Sequence, residues 1–228
     1  MFVRLKKLLC RSIFIQTEST PNVNAIKFVT GKKFFLSSEQ NDLKGKTFEF
    51  SQAKASPIKS PLASLVLEVS GVETVLIADE FVTVCKDSSS DWRHIKPQIY
   101  AILTDWSAQE KAAINLHSEG QGEKTHQIKF NDADKEVVQV ISELIDTRIR
   151  PSIQQDGGDL EFVGYESGVV KLKLQGSCRS CSSSVVTLKL GVESMLKHYV
   201  PQVVSVEQVS EGEQSGEYFA ASEQKIGK

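Results

Sequence analysis

Apolar residues along the first half of the chain recur in patterns that predict a compact unit over residues 18–106. Three apolar runs predict strands: residues 25–29, 72–78 and 81–86. Two stretches with apolar residues at helical spacing predict helices: residues 61–70 and 91–106. Ser60 and Pro61 mark the start of the first helix, because serine is a favourable N-cap and proline is favoured at the first helical position. Gly71 ends this helix, and we expect Pro97 to kink the second helix or to mark its first turn.

The second half of the chain predicts another unit, residues 131–209, with the order α-β-β-α-β. Its helical patterns cover residues 131–150 and 185–199, and its strand patterns cover residues 160–165, 169–174 and 203–209. We expect Pro151 to end the first helix and Pro201 to end the second. In the second strand apolar residues alternate with Lys171 and Lys173, which is typical of a sheet with one face in water. The sequence therefore predicts an α+β protein of two small domains, the second with a three-stranded sheet and both helices on one face.

Three segments lack the pattern of a folded unit. Residues 107–130 are rich in Ser, Gln, Glu, Lys and Gly, and we expect a linker there. Residues 210–228 are polar and aperiodic, and we expect a disordered tail. Residues 1–17 contain four basic residues and no acid, with apolar and basic side chains on different sides of a helix. This is typical of an organelle transit peptide that is removed after import, although an ordinary basic amphipathic N-terminal helix fits the same pattern.

Net charge, the length of the apolar runs and the spacing of the cysteines argue against several classes of protein. The chain has 228 residues and a formal net charge of -2, so no basic surplus points to nucleic acid. No apolar run approaches the roughly 18 residues that span a bilayer, and we expect no membrane insertion. The four cysteines include only one close pair, which argues against a secreted disulfide framework and favours a reducing compartment.

The close pair, Cys178 and Cys181, is the main chemical feature of the sequence. It lies at C-x-x-C spacing between a predicted strand and a predicted helix, so both sulfurs can converge on one metal or cluster, or close on each other. The helix that follows aims unpaired N–H groups and the positive end of its dipole at the sulfurs, which favours the thiolate that binds metal. Two small core residues are the other interpretation, but Arg179 and the surrounding serines make poor core neighbours.

The remaining candidates are weaker. Cys85 is in phase with apolar residues on a predicted strand, and we expect it to pack in the core, while Cys10 lies in the segment expected to be removed. The histidines are scattered and are not assigned as ligands: His94, His117, His126 and His198. Asp156 and Asp159 could form a carboxylate pair, but the glycines between them predict a tight turn. The sequence contains no P-loop, G-x-G-x-x-G, G-x-S-x-G or H-E-x-x-H motif, so we do not expect an enzyme.

The number of metal ligands that one chain supplies bears on its oligomeric state. A [4Fe–4S] cluster is normally held by four cysteine thiolates, and structural zinc also takes four ligands. One copy of the motif supplies two, and neither Cys85 nor the histidines suggest a second pair. The other two thiols would then come from a second subunit, which predicts a metal or cluster shared in a symmetric dimer.

The combined motifs resemble those of the Nfu family of iron–sulfur cluster proteins in its mitochondrial form. In the second unit the resemblance is carried by residues 150–159, 176–181, 184–189, 199–201 and 206–209. In the first unit it is carried by residues 20–22, 60–63 and 71–72, by Trp92 and by residues 96–97. Two positions depart from the family pattern, because Ser182 and Val23 stand where the family usually has proline. Neither departure removes a ligand.

This resemblance implies an N-terminal Nfu domain of α/β type and a NifU-like C-terminal domain with the C-x-x-C at a strand-to-helix turn. It implies a scaffold or carrier, not an enzyme, that binds a [4Fe–4S] cluster through Cys178 and Cys181. Its implied location is the mitochondrial matrix. Its implied partners are upstream cluster-assembly factors and recipient apoproteins, such as lipoyl synthase and respiratory-chain subunits.

Two other functions stay open on the residues alone. A thiol–disulfide oxidoreductase also uses C-x-x-C at a helix start. Here, however, the motif is predicted to follow a β-hairpin and not the first strand of a β-α-β unit, and no tryptophan flanks it. A zinc-bridged interaction module would use the same two thiols of each chain.

Overall fold

The structure, a computed structural model, describes residues 14–31, 33–34, 45–52, 59–109, 113–114, 128–179 and 182–209, with the backbone alone for residues 182–187. The chain divides into two compact units, Met1–Gly122 and Glu123–Lys228, and each has its own apolar core. Both units combine helices with a sheet, which confirms the predicted α+β class. Within the described ranges no helix is long and apolar enough to cross a membrane.

The first unit is built on a five-stranded antiparallel sheet. In chain order the strands are β1 (Gln16–Ser19), β2 (Ala25–Val29), β3 (Phe48–Ser51), β4 (Val72–Ile77) and β5 (Phe81–Lys86). Their order in the sheet is β1-β2-β5-β4-β3, so the three strands predicted from apolar runs form its centre. The pattern does not predict the two edge strands, β1 and β3, because each has only four residues and too few apolar positions to show a period of two.

Two helices share the core of this sheet: α1 (Pro61–Leu67) and α2 (Trp92–Ala108). The Ser60 hydroxyl accepts a hydrogen bond from the Ala63 N–H at 3.1 Å, as expected of the predicted N-cap. Asp91 caps α2 in a similar way, because its carboxylate accepts the Arg93 N–H at 2.8 Å. Pro97 lies inside α2 and therefore does not mark its first turn.

The folded part of the first unit extends beyond the predicted bounds, residues 18–106, at both ends. Ile15 is 8% exposed and belongs to the core, and β1 begins at Gln16. At the other end, the carbonyl oxygen of the buried Ala113 accepts a hydrogen bond from the Ser60 hydroxyl at 2.7 Å. These short segments are placed by pairing with distant residues, so their own sequence carries no periodic signal.

The second unit follows the predicted order around a three-stranded sheet. It begins with a 3₁₀ turn (Asp132–Asp134), α3 (Lys135–Leu144), a π-helical turn (Ile145–Ile149) and α4 (Arg150–Gln155). The elements β6 (Gly158–Glu166), β7 (Val169–Gly176), α5 (Ser182–Tyr199) and β8 (Ser205–Gln208) follow. In the sheet, β6 is antiparallel and β8 parallel to the central strand β7. The helices and the sheet share one apolar core.

Pro151 does not end the first helix of this unit, contrary to the prediction. The chain stays helical through Pro151 to Gln155, and the π-helical turn lies directly before α4. Proline inside a helix lacks an N–H donor, and its ring collides with the carbonyl four residues earlier. Because a π turn widens the helix, it moves the preceding carbonyls away from the ring and lets the helix continue.

The parallel pairing of β7 with β8 makes β7, α5 and β8 a β-α-β unit. The C-x-x-C segment lies between β7 and α5, so the expectation that it does not follow the first strand of such a unit is wrong. The four-residue strand β8 carries no sequence signal for its partner. Glu193 of α5 is tied to β8, because its carboxylate accepts the Val206 N–H at 3.1 Å. Hydrogen bonds from Lys197 and from this N–H lower the pKa of Glu193.

Lys129 belongs to the second unit, although it falls in the predicted linker, residues 107–130. Its backbone N–H donates to the Val163 carbonyl at 3.1 Å, and its carbonyl accepts the Tyr165 N–H at 2.8 Å. Between these contacts lies Gly164, where an added Cβ would be 2.8 Å from the Lys129 carbonyl oxygen. The folded part of the second unit therefore begins before residue 131.

We predict that a chain beginning at Phe14 keeps the stability of the first unit, whereas a chain beginning at Glu18 loses part of it. The longer deletion removes Ile15, and burying a side chain of this size contributes about 2 kcal/mol. It also removes half of β1. Thermal unfolding of the two proteins measures the difference, and equal unfolding temperatures would contradict the structural role of Ile15.

If residues at the N-terminus are removed as a transit peptide, we expect cleavage before Ile15, because Ile15 belongs to the core of the first unit. N-terminal sequencing of protein recovered from cells can check this.

Candidate functional site

The C-x-x-C segment lies where β7 ends and α5 begins. Gly176 closes β7 with a φ of 61°, a conformation that glycine adopts without strain. Cys178 and Arg179 follow in a turn, and α5 begins at Ser182 even though the family's usual proline is absent there. Of the two predicted ligands, the structure describes Cys178, while Cys181 lies outside the described residues.

Ser177 ties this segment to the loop between α4 and β6. Its N–H donates to the Gly157 carbonyl at 3.4 Å, and its hydroxyl donates to the Asp156 carbonyl at 2.7 Å. The Cys178 N–H donates in turn to the Gln175 carbonyl at 3.4 Å, which keeps the segment compact. Ser177 is 2% exposed, so water competes little for these bonds.

Gly158 leaves the space that the Cys178 sulfur occupies. A Cβ added to Gly158 would overlap this sulfur, and it would lie 3.1 Å from both the Gln175 carbonyl oxygen and the Ser177 hydroxyl oxygen. Gly157 has a different role, because its φ of 77° is the left-handed conformation predicted for a turn glycine. Sequence reasoning finds the turn but misses the packing role of Gly158. One signal in the sequence could have shown this packing role. The pair Gly157-Gly158 precedes the first strand of the predicted hairpin, and Cys178 follows its second strand.

Asp159 is a structural carboxylate at the start of β6. It is 1% exposed. One of its oxygens accepts a hydrogen bond from the Arg150 guanidinium at 2.6 Å, and the other accepts one from the Gln154 amide at 3.2 Å. Arg150 also donates to the Leu160 carbonyl at 3.0 Å and pairs with Asp146 at 3.0 Å. Asp159 is buried and Arg150 is half-buried, and their network holds α4 against β6 on either side of the glycine turn.

Cys178 is itself buried. Its exposed fraction is 8%, and it belongs to the core of the second unit. The expectation that its polar neighbours make this position unsuitable for core packing is therefore wrong. Ser177 satisfies its polar groups on the adjacent loop, and Gly158 makes room for the sulfur, so the thiol packs among apolar side chains.

The start of α5 supplies the electrostatics of the site. This helix has 18 residues and no acidic residue in its first turn. Its first N–H groups carry partial positive charge, which favours an anionic sulfur in the segment directly before it. The apolar surroundings of Cys178 have the opposite effect, because they favour the neutral thiol. The arrangement can therefore keep a thiol in the interior or present a thiolate at the helix start.

The other candidates belong to other elements of the fold or fall outside the described residues. Cys85 is buried on β5 in the first unit, as predicted for a packing residue. His94 and His198 are exposed on helices, and the remaining candidates fall outside the described residues: Cys10, His117 and His126. In the part of the chain that the structure describes, no three His, Cys, Asp or Glu side chains lie close enough to hold a metal ion.

Comparison with known proteins gives the family. Two family models match the sequence, a NifU-like domain over residues 141–207 and the scaffold protein Nfu/NifU N-terminal domain over residues 15–110. A NifU-like protein from Saccharomyces cerevisiae, solved in solution by NMR, is 31% identical; the match covers 46% of this chain and 86% of that chain, with a TM-score of 0.40. The N-terminal match begins at Ile15, the first core residue among those described in the first unit.

Several curated relatives come from fruit flies. A protein named NFU1 iron-sulfur cluster scaffold homolog, mitochondrial, from Drosophila persimilis is 46% identical over 199 residues, which is 87% of this chain and 66% of the relative. This chain belongs to the Nfu family. The Drosophila virilis protein of the same name is 44% identical and covers 87% of this chain and 62% of its own length. This Nfu chain thus spans less than two thirds of the length of these relatives. Their names agree with the predicted location, and we assign this Nfu protein to the mitochondrion.

We predict opposite effects for two glycine-to-alanine substitutions in the second unit. Gly158→Ala should destabilise the unit by roughly 1–3 kcal/mol, because the new methyl group overpacks the place of the Cys178 sulfur. Gly191→Ala is the matched control in α5, where an added Cβ meets nothing within 4 Å. It should stabilise the helix by about 0.5–1 kcal/mol. Chemical denaturation of the two variants measures both effects, and a neutral Gly158→Ala would contradict the packing role of Gly158.

Proposed function

We propose that this Nfu protein is a scaffold and carrier that binds a [4Fe–4S] cluster through Cys178 and Cys181 and passes it to apoproteins in the mitochondrial matrix. The observation that carries the proposal is the packing of Cys178 directly before a helix N-terminus. Its sulfur lies over Gly158, on a segment tied down by Ser177 and followed directly by the start of α5. A helix N-terminus stabilises a thiolate without supplying a competing ligand. The names of the fly relatives support the same role.

The donor set fits an iron–sulfur cluster. Cysteine thiolates are the soft ligands that such clusters take, normally four to each cluster. The described ranges contain no group of three His, Cys, Asp or Glu side chains that could complete a shell beside Cys178. Two thiolates from each of two chains supply the required four. We therefore propose that the cluster bridges a homodimer.

Transfer can proceed by exchange of one thiolate at a time. A thiolate of the recipient replaces a cysteine sulfur of the carrier, and the displaced sulfur takes up a proton. As recipients we propose lipoyl synthase and respiratory-chain subunits, with upstream cluster-assembly factors as the source.

A thiol–disulfide oxidoreductase is the second candidate, because the segment lies in the β7-α5-β8 unit at a helix start, a place where redox C-x-x-C motifs occur. The burial of Cys178 weighs against it, since reactive cysteines are at least partly exposed. Iron, zinc and acid-labile sulfide measured in anaerobically purified protein separate the candidates. Iron with sulfide supports the carrier, zinc without sulfide supports a zinc-bridged module, and the absence of metal supports the oxidoreductase.

We predict that Cys178→Ala and Cys181→Ala each abolish the visible iron–sulfur absorption after anaerobic reconstitution, because either change leaves fewer than four thiolates for two chains. Cys85→Ala is the matched control, since Cys85 lies on β5 of the first unit. It should keep the absorption. A Cys178→Ala protein that still holds a full cluster would overturn the assignment.

We also predict that cluster binding and dimerisation are one event. The holo protein should contain one [4Fe–4S] cluster for every two chains, whereas the apo protein should be mostly monomeric, because without the cluster the two C-x-x-C segments share no bridging group. Light scattering on matched apo and holo samples, with iron counted per chain, measures this. A holo monomer with a complete [4Fe–4S] cluster on its own residues would contradict the ligand count.

A further inference from the structure

We propose that Glu193 of α5 closes the outer edge of β8 against pairing with β8 of a second copy of this chain. The contact that carries the inference is a hydrogen bond from the Val206 N–H to the Glu193 carboxylate, at 3.1 Å. This role of Glu193 goes beyond the proposed carrier function and does not depend on which residues hold the cluster.

The Val206 N–H lies on the outer side of β8. Successive N–H groups of a strand point to opposite sides. The N–H groups of Ser205 and Val209 donate to carbonyl oxygens of residues 168–172, on the side of β7. The N–H groups of Val206 and Gln208 therefore point away from β7. Among the described strands β8 pairs only with β7, so this outer side is a sheet edge.

The sequence around β8 makes its edge prone to pair with other strands. Residues 203–209 contain four valines, one charged residue (Glu207), and neither proline nor glycine. Short segments with high β-propensity and little charge pair readily with copies of themselves. The outward N–H and C=O groups of a sheet edge are the template for such pairing, and natural proteins block them. An edge of this sequence therefore favours self-association unless a side chain covers it.

Glu193 reaches the edge because α5 crosses from β7 to β8. Val192 and Leu196 pack in one core with Val206, which places Glu193 beside the strand. Lys197, one turn further along α5, donates to the same carboxylate. The hydrogen bonds from Lys197 and Val206 lower the pKa of Glu193, so the carboxylate is ionised at neutral pH.

An ionised carboxylate blocks strand pairing in two ways. It accepts hydrogen bonds but donates none, so it occupies the Val206 N–H that a second strand would need. A second strand would also have to bring a carbonyl oxygen to this N–H, next to the negative charge of Glu193. Both effects disappear when the carboxylate is removed, which makes the role testable by substitution.

The experiment compares the full-length chain with three variants in reducing buffer with a metal chelator, so that no cluster joins two chains. Glu193→Ala removes the carboxylate from the edge. Glu143→Ala is the matched control, because it removes the same charge from an exposed position on α3. The double variant Glu193→Ala with Gln208→Pro places proline on the outer side of β8. There it removes no bond to β7 but prevents pairing with another strand.

Hydrogen exchange measured by NMR and sedimentation velocity give two readouts. In dilute Glu193→Ala the Val206 amide should exchange about tenfold faster, the effect of losing one hydrogen bond to a charged acceptor. At higher concentration this variant should form dimers, because antiparallel pairing of two β8 strands is a closed two-fold contact. The Val206 amide should then become protected again. The unchanged chain and Glu143→Ala should keep the slow exchange and sediment as monomers.

The double variant tests whether the association uses the edge of β8. It should sediment as a monomer, because proline at residue 208 blocks the pairing that Glu193→Ala permits. Equal association of the unchanged chain and Glu193→Ala would overturn the proposal. Dimers that persist in the double variant would also overturn it, because they would form through another surface.

A second substitution keeps the proposal testable if Glu193→Ala does not fold. Glu193→Gln keeps the size of the side chain and an oxygen acceptor but loses the charge. The Val206 amide should then exchange faster than in the unchanged chain, and Gln208→Pro should again prevent any dimer. Unchanged exchange at Val206 would contradict the role of the carboxylate. Failure to take up a cluster in separate reconstitutions would bear on the carrier function alone.

Discussion

The contact between the Cys178 sulfur and the backbone of Gly158 is the constraint on which the local structure of the second unit depends. No other residue type fits at Gly158 without displacing the sulfur. The adjacent Gly157 turns the chain with a positive φ, so that β6 runs back beside β7. On the far side of the turn, the ion pair between the half-buried Arg150 and the buried Asp159 fixes α4 to β6. The glycine turn is thus held from both ends, and the cysteine segment packs on a rigid surface.

Much of the fold could be predicted from sequence because its central elements carry strong local signals. The strands β2, β4 and β5 are apolar runs, and Ser60 with Pro61 marks a helix start that the hydrogen bond to Ala63 confirms. The elements that escape prediction are placed by distant partners. The edge strand β1 consists of polar residues in register with β2, and backbone hydrogen bonds join Lys129 to β6. Such segments show no period of their own.

Pro151 and β8 show two other limits of predicting structure from the local sequence. Proline normally ends a helix, but a π turn one step earlier removes the steric reason for it to do so. The apolar residues between 203 and 209 predict the strand β8, yet its parallel partner depends on how α5 crosses the sheet. That pairing changes an argument about function, because it places the C-x-x-C in a β-α-β unit. An error in topology can therefore alter the ranking of chemical alternatives even where the strands and helices around the site are correctly predicted.

The site was predictable in its chemistry but not in its geometry. The spacing of Cys178 and Cys181 before a helix was visible from the residues, whereas the burial of Cys178 depends on space that a glycine leaves in another strand. The Gly-Gly turn carries its own local signal, but the register that brings it beside the cysteine segment comes from the pairing of β6 with β7, in which Gly158 lies opposite Gly176. No periodic pattern in either segment encodes that register. The chemistry of the cysteine pair is therefore readable from the sequence, whereas the packing around Cys178 depends on residues that only the folded sheet brings together.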